Sequence, residues 1–172
     1  VVLRDILYRA AERTRIEVIL VANRWLQTPP SRFIRAMQVA GGPDVADDAI
    51  AERVAAGDLV VTQDIPLAAR VLASGAAAVD PRGVPFSPDS IAQRLSIRDF
   101  MAELRGAGVQ TGGPPSLHAR DRQPFAANTP EGFRELFFDH AQIEALGLGS
   151  AANLPVIDPA RPDRIRAERD YV

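Results

Sequence analysis

The chain contains no cysteine and no lysine, and only 6% of its 172 residues are aromatic. Without cysteine, disulfides, zinc–thiolate sites and thiol nucleophiles are excluded. Without lysine, any cation that holds a phosphate or assists catalysis is an arginine, because all 20 basic residues are Arg. The same bias, together with abundant alanine, fits a GC-rich coding sequence. No apolar run approaches the roughly 20 residues of a membrane span, and no secretory-type apolar stretch opens the sequence. The expectation is a cytoplasmic protein with no membrane contact. The net charge of -2 leaves no basic field over the molecule. Nucleic-acid contact would therefore rest on a local patch or on metal ions. What is present is ordinary: 47% hydrophobic and 24% charged residues fit one globular domain with a normal core.

The most informative stretch is Gly57–Ala69, GDLVVTQDIPLAA. Leu59–Val61 is a short apolar run ending at Thr62 and Asp64, and Pro66 sits where a first helical turn begins. The pattern predicts a buried strand that delivers a carboxylate to its C-terminal end, just before a helix. Ligands of open α/β sheets bind outside those carboxyl ends. Upstream lies a second acidic cluster, PDVADDAI, with Asp44, Asp47 and Asp48. Two acidic clusters at the mouths of neighbouring elements point to a divalent cation, because Mg²⁺ takes hard oxygen ligands and acts on phosphates. Plainer roles compete. Asp44 is a good N-cap for a helix reaching about Ala56, and Asp64 could merely cap the helix that starts at Ile65.

The remaining pattern alternates strands and helices. Helix is predicted over residues 1–14, strand over 17–22, half-buried strand over 33–39 and strand over 58–62. Helix 65–74, a short strand 76–79, a turn at Asp80–Gly83 and a helix from Pro88 to Gly106 follow. This alternation implies a parallel sheet flanked by helices. Residues 117–127 and Phe133–Leu146 are further helix candidates, and most of 147–172 is expected to be a poorly ordered tail. Arg82, Arg94, Arg98, Arg105, Arg120 and Arg122 thicken the later basic content, mostly as a solvated face. Arg120 and Arg122, beside the TGGPPS loop, suit phosphate better. Arg82 and Thr62 are lesser candidates. His118 and His140 have no partner pattern, and neither a Walker ending nor a G-x-S-x-G elbow occurs.

Together, VVLRDILYRAAERT, LVAN, DVADDAI, GDLVVTQDIPLAARVL, DPRG, RDFMAELRGAGVQTGGPP and RDRQPFA resemble the YaiI/YqxD family of bacterial proteins, over residues 1–128. The resemblance implies a PIN-like fold: an α/β parallel sheet between helix layers, with acidic residues that hold Mg²⁺ or Mn²⁺ for phosphodiester cleavage. It places Asp44 and Asp47 in a D-x-A-D element and Asp64 in a T-x-D-I-P-L-A element. These three are the implied metal and catalytic residues, with RNA or DNA as partner; Arg120, Arg122, Arg82 and Thr62 are the phosphate-contact candidates read from the sequence itself. A PIN-like scaffold that binds nucleic acid or protein without cleaving it is the alternative. The family pattern opens with a strand ending in Asp-Ala-Asp-Ala-Cys-Pro. Its absence here leads to an expected sheet without its central first strand. No family motif is recognised in residues 129–172. Within them, Leu154–Asp158 is the one segment weighed as a filler for that gap, with disorder expected instead. Oligomeric state is left open.

Overall fold

The computed structural model describes residues 2–106, 125, 128, 142, 145 and 164–168. Helix α1 (Val2–Thr14) carries Asp5 in its first turn and Arg13 in its last, which suits the helix dipole. Leu3, Ile6, Leu7, Ala10 and Ala11 form its buried stripe. Arg15, at φ 59°, turns the chain out of the helix and into β1 (Glu17–Ala22). A loop then leads to β2 (Ile34–Gln38), which pairs with β1 in parallel, Val18 opposite Ile34. Next come α2 (Val45–Ala51), β3 (Leu59–Val61), α3 (Ile65–Ala73), β4 (Ala77–Val79) and α4 (Pro88–Gly106). Gly75, at φ 77°, closes α3 in the left-handed conformation that glycine adopts without strain.

The ninth element overturns an expectation. Residues 164–168 were to belong to a poorly ordered tail; they form β5 (Arg164–Glu168) instead. This strand lies in the middle of a five-stranded, all-parallel sheet of order β2-β1-β5-β3-β4. Its register is set on both sides, with Ile165 opposite Val18 of β1 and opposite Leu59 of β3. The sheet is thus not confined to residues 1–128, and the central place expected to be vacant is taken. The segment weighed for it, Leu154–Asp158, lies outside the described residues, as do the helix candidates 117–127 and 133–146 over most of their length.

Both faces of the sheet are covered, which explains the apolar runs of β1 and β3. On one face Val18, Leu20, Leu59, Val61, Ile165 and Ala167 pack with α1 and Phe125. On the other, Val21, Val60 and Ala78 pack with Ile50 of α2, Leu67 and Val71 of α3, and Ile91 of α4. Three layers result, with helices outside and a parallel sheet between them.

One member of this interior is charged. Arg166 sits mid-strand in β5 and is buried. Its guanidinium donates to Asp58 Oδ2, just before β3, and to the carbonyl of Arg53, just after α2, at 3.0 Å. Asp58 Oδ2 also accepts from the Ala55 N–H at 3.0 Å. A buried ion pair survives when its remaining hydrogen-bonding capacity is used, and here the loop 52–58 is folded around it.

Candidate functional site

The carboxyl edge of the sheet is assembled by β3 and by the chain leaving β2. Thr62 extends the β3–β4 pairing by one bond, its N–H donating to the Val79 carbonyl at 3.0 Å. Its hydroxyl oxygen accepts from the Asp64 N–H at 2.9 Å. Asp64 in turn caps α3, with Oδ1 accepting from the Leu67 N–H at 2.7 Å, and Pro66 opens the helix. The capping role weighed for Asp64 is real, and one of its two carboxylate oxygens is committed to it. Thr62 is fully buried, so its hydroxyl shapes this turn from within.

Because β2 is parallel to β3, the chain leaving β2 reaches α2 at the same edge. Asp44 stands at the N-cap position of α2, but its side chain caps nothing. It adopts a left-handed conformation, φ 59°, and only its carbonyl serves the helix, accepting from the Asp48 N–H at 2.8 Å. The expected N-cap is corrected here: left-handed backbone does not aim the carboxylate at the first-turn amides as an extended N-cap does. The helix is also shorter than expected, ending at Ala51 rather than Ala56. The Arg166–Asp58 pair draws the following loop into a turn.

Asp47, in the first turn of α2, is the unusual member. Its Oδ1 is buried and has no hydrogen-bond partner. Its carboxyl is pushed from 3.8 up to about 6, by burial first, then by Asp64 and Asp44 and least by Asp48, with Arg70 opposing them. These charges act on Asp47 only because α2 and α3 bring the two acidic clusters together. Arg70 is held by Asp48, Nη1 to Oδ1 at 2.7 Å, which ties α3 to α2. That cation was missed in the sequence, since nothing local marks it as the partner of an aspartate 22 positions earlier. Among the described residues, no group of three or more His, Cys, Asp or Glu is placed to hold a metal ion.

The basic candidates are scattered. Arg82 lies in the turn after β4, where Asp80 Oδ1 accepts from its N–H at 2.8 Å and its carbonyl accepts from Asn128 at 3.2 Å. Arg94 pairs with Asp80 at 3.8 Å and stacks over Phe86 at 4.6 Å, which is a packing role. Arg120, Arg122, His118 and His140 lie outside the described residues. A cavity of about 580 Å³, lined by Tyr8, Arg9, Glu12, Arg13, Pro29, Ile34 and Gln142, shares no residue with the acidic edge. Among the described residues, no helix is long and apolar enough to cross a membrane.

Comparison with known proteins supplies the family. The model of the family described as "Uncharacterized BCR, YaiI/YqxD family" matches residues 2–133. A "UPF0178 protein" from Xanthomonas campestris pv. campestris (strain 8004) is 75% identical over 126 residues, covering 73% of this chain and 79% of the relative. A "UPF0178 protein" from Klebsiella pneumoniae (strain 342) is 62% identical over 126 residues, covering 73% and 83%. The "UPF0178 protein YaiI" of Escherichia coli is 55% identical over 142 residues, covering 83% and 92%. No solved structure matches the chain. The acidic edge and four of the five strands fall inside the matched residues, whereas β5 falls outside them. On the extent of that match, the chain belongs to the YaiI/YqxD family.

Proposed function

We propose that the acidic edge is a PIN-like phosphodiesterase site, at which RNA or DNA is cleaved with Mg²⁺ or Mn²⁺. The observation that carries this reading is the orphaned, buried Oδ1 of Asp47, facing the charge of Asp64 and Asp44. A stable fold has little reason to keep a carboxylate desolvated beside two like charges. A hard cation removes the repulsion and supplies the missing partner. Asp47 and the free oxygen of Asp64 would hold it, with Asp44 assisting directly or through water. Two carboxylates suffice, because Mg²⁺ keeps several waters and completes its shell with substrate phosphate. When bound, such an ion polarises a phosphoryl oxygen and lowers the pKa of a bound water. Thr62 and the α3 cap keep the Asp64 carboxylate aimed at this edge. Arg120 and Arg122 would position the phosphate backbone.

A second reading has its own support. Asp64 already spends one oxygen on its helix, and no three-acid group occurs among the described residues. A scaffold that binds nucleic acid or protein without cleavage fits those facts. The two readings separate in one experiment. Mn²⁺ titration by calorimetry, alongside cleavage of single-stranded RNA and DNA, is run on the wild type and on Asp47→Asn. Saturable Mn²⁺ binding and Mn²⁺-dependent cleavage, both lost in D47N, establish the enzyme. Nucleic-acid binding that persists in chelator, without cleavage, establishes the module. Replacing Arg120 and Arg122 by Ala should lower the salt slope of binding by about one per arginine. An unchanged slope would assign both to the solvated surface.

A further inference from the structure

A tryptophan stands mostly in solvent beside the edge where the aspartates gather. Trp25 is 77% exposed, and it is the single tryptophan of the chain. Small apolar residues scattered over a surface need no explanation, but an indole carries more apolar area than any other side chain and is normally covered. A loose loop is not the reason. Leu26, the next residue, is buried in the core that α1 covers. At one end of the loop the Ala22 carbonyl accepts from the Val39 N–H at 2.8 Å, and at the other the Phe33 carbonyl accepts from the Val18 N–H at 2.7 Å. Ser31 Oγ accepts from the Phe33 N–H at 3.0 Å, and Pro29 and Pro30 stiffen the middle. The chain is fixed on both sides of Trp25 while the indole stays in water.

Its place in the fold narrows what it could meet. The chain leaving β1 toward Trp25 and the chain leaving β2 toward Asp44 and Asp47 depart side by side, from the bonded pair Ala22 and Val39. α2 packs against β1 itself. Trp25 lies three residues past the end of β1, at most roughly 11 Å along the chain. The loop is also opposite in charge to the edge it adjoins. Residues 23–33 carry Arg24 and Arg32, both exposed, and no acid. Arg32 lies 5.9 Å over the Phe33 ring. An open aromatic face among arginines suits a nucleic-acid strand, because the ring can take a base and the guanidinium groups can take phosphate. A duplex keeps its bases stacked inside, so only an unpaired base reaches such a face.

We propose that Trp25 is a base-stacking subsite beside the acidic edge. It takes one unpaired base of an RNA or DNA strand, with Arg24 and Arg32 on the phosphates of that strand. The subsite rests on the reading that this edge meets a nucleic acid, and it adds a contact that separates unpaired strands from duplexes. Stacking tolerates any base, because every base has a π-face. Trp25 therefore selects strandedness and not sequence.

Because Trp25 is the single tryptophan, its own emission reports the subsite. The wild-type chain is titrated with a short oligothymidylate, an oligouridylate, a duplex and an abasic strand of the same length, in Mg²⁺ and again in chelator. Saturable quenching by the thymidylate, the uridylate or both, and by neither the duplex nor the abasic strand, is the expected result. Trp25→Ala should weaken strand binding by roughly 5- to 150-fold, the range one base–aromatic stack carries, while Trp25→Phe keeps most of it. Anisotropy of a fluorescein-labelled strand reads both. Both variants should melt as the wild type does, since the ring is little buried. Strand binding or Mn²⁺-dependent cleavage with undisturbed emission and an unaffected W25A overturns the subsite and leaves the nuclease reading standing. Quenching by single strands without cleavage supports the subsite and removes the enzyme. Equal quenching by the duplex overturns the subsite, and absence of strand binding in both media overturns it together with the nucleic-acid reading. If W25A instead changes the sedimentation of the chain while strand binding is intact, Trp25 is a protein contact and the proposal fails.

Discussion

Two aspartates at opposite edges of one sheet have opposite fates. Asp58, at the amino edge, is buried with every means of satisfaction: an arginine from the central strand and a backbone amide from its own loop. Asp47, at the carboxyl edge, has a buried oxygen with no partner and feels the charges of Asp64, Asp44 and Asp48. The first arrangement is how a fold makes a buried charge tolerable. The second leaves unfavourable electrostatics in place, which under the proposed function a bound cation would relieve. The contrast teaches where to look for each kind of role. Charge that is answered locally organises the chain, and charge left unanswered is what the proposed function is built on.

The sharpest way to break this comparison is to remove one half of the answered pair. Arg166→Met should cost about 3–5 kcal/mol, because Asp58 would remain buried without its countercharge. Denaturant unfolding followed by circular dichroism reads this directly. Arg166→Met combined with Asp58→Leu should recover most of the loss, since the desolvated charge is then gone. A double variant no more stable than R166M would show that the loop 52–58 needs the pair for its shape.

Asp47 should respond in the opposite direction. In the folded chain its carboxyl titrates near 6, against 3.8 without the surroundings. Between these values the folded state holds a proton that the unfolded state has released. Stability therefore falls as pH rises from about 4 to about 6, and stays lowered above that. The full shift corresponds to at most about 3 kcal/mol, and solvent screening of a half-buried group brings it to roughly 1–2 kcal/mol. Asp47→Asn should thus be more stable than wild type by that amount at pH 7, and equal to it below about pH 4. Equal stability at both pH values would remove the case that Asp47 is held under repulsion. Gain of stability with loss of Mn²⁺ binding is the exchange expected of a functional group.

Asp64 shares both characters, and a single substitution divides them. Asp64→Ser keeps a capping oxygen for the Leu67 N–H but removes the charge. Stability should change by less than about 0.5 kcal/mol, whereas Asp64→Ala should lose about 1 kcal/mol with the cap. Mn²⁺ binding should fail in both. If D64S binds Mn²⁺ as wild type does, Asp64 is a cap and nothing more.

Much of this architecture is written in local signals. Glu17–Ala22 is legible as a buried strand from its apolar run, and α3 from Asp64, Pro66 and Gly75 in their proper places. The acidic edge follows from those elements, because parallel strands bring both aspartate clusters to one side. β5 is illegible for a physical reason. RIRAE carries charge at three of five positions and reads as solvated chain. Only Asp58, over 100 residues away in sequence, makes Arg166 a core residue. Asp44 misleads in the same way. Its type and position describe a cap, but its left-handed backbone, invisible in composition, turns the carboxylate elsewhere. Periodicity reports burial by hydrophobicity, and it is silent where burial is achieved by pairing.

Arg70 gives the smallest expected effect and refines the comparison most. Its pair with Asp48 is about half exposed on both sides, at 47% and 57%, so Arg70→Ala should cost less than about 0.5 kcal/mol, and less still in high salt. Its influence on Asp47 is of another kind. Among the described residues, Arg70 is the positive charge that moderates the repulsion there, and it lowers the carboxyl pKa against the combined push of burial, Asp64 and Asp44. Without it, the Asp47 titration should shift upward, as read by the pH dependence of its carboxyl carbon signal. The pH at which Mn²⁺ binding begins should move up with it, because the proton and the ion compete for the same oxygen. An arginine that barely affects stability yet shifts both titrations together would belong to the unanswered edge. Unchanged titrations would assign it to the surface that ties α2 to α3.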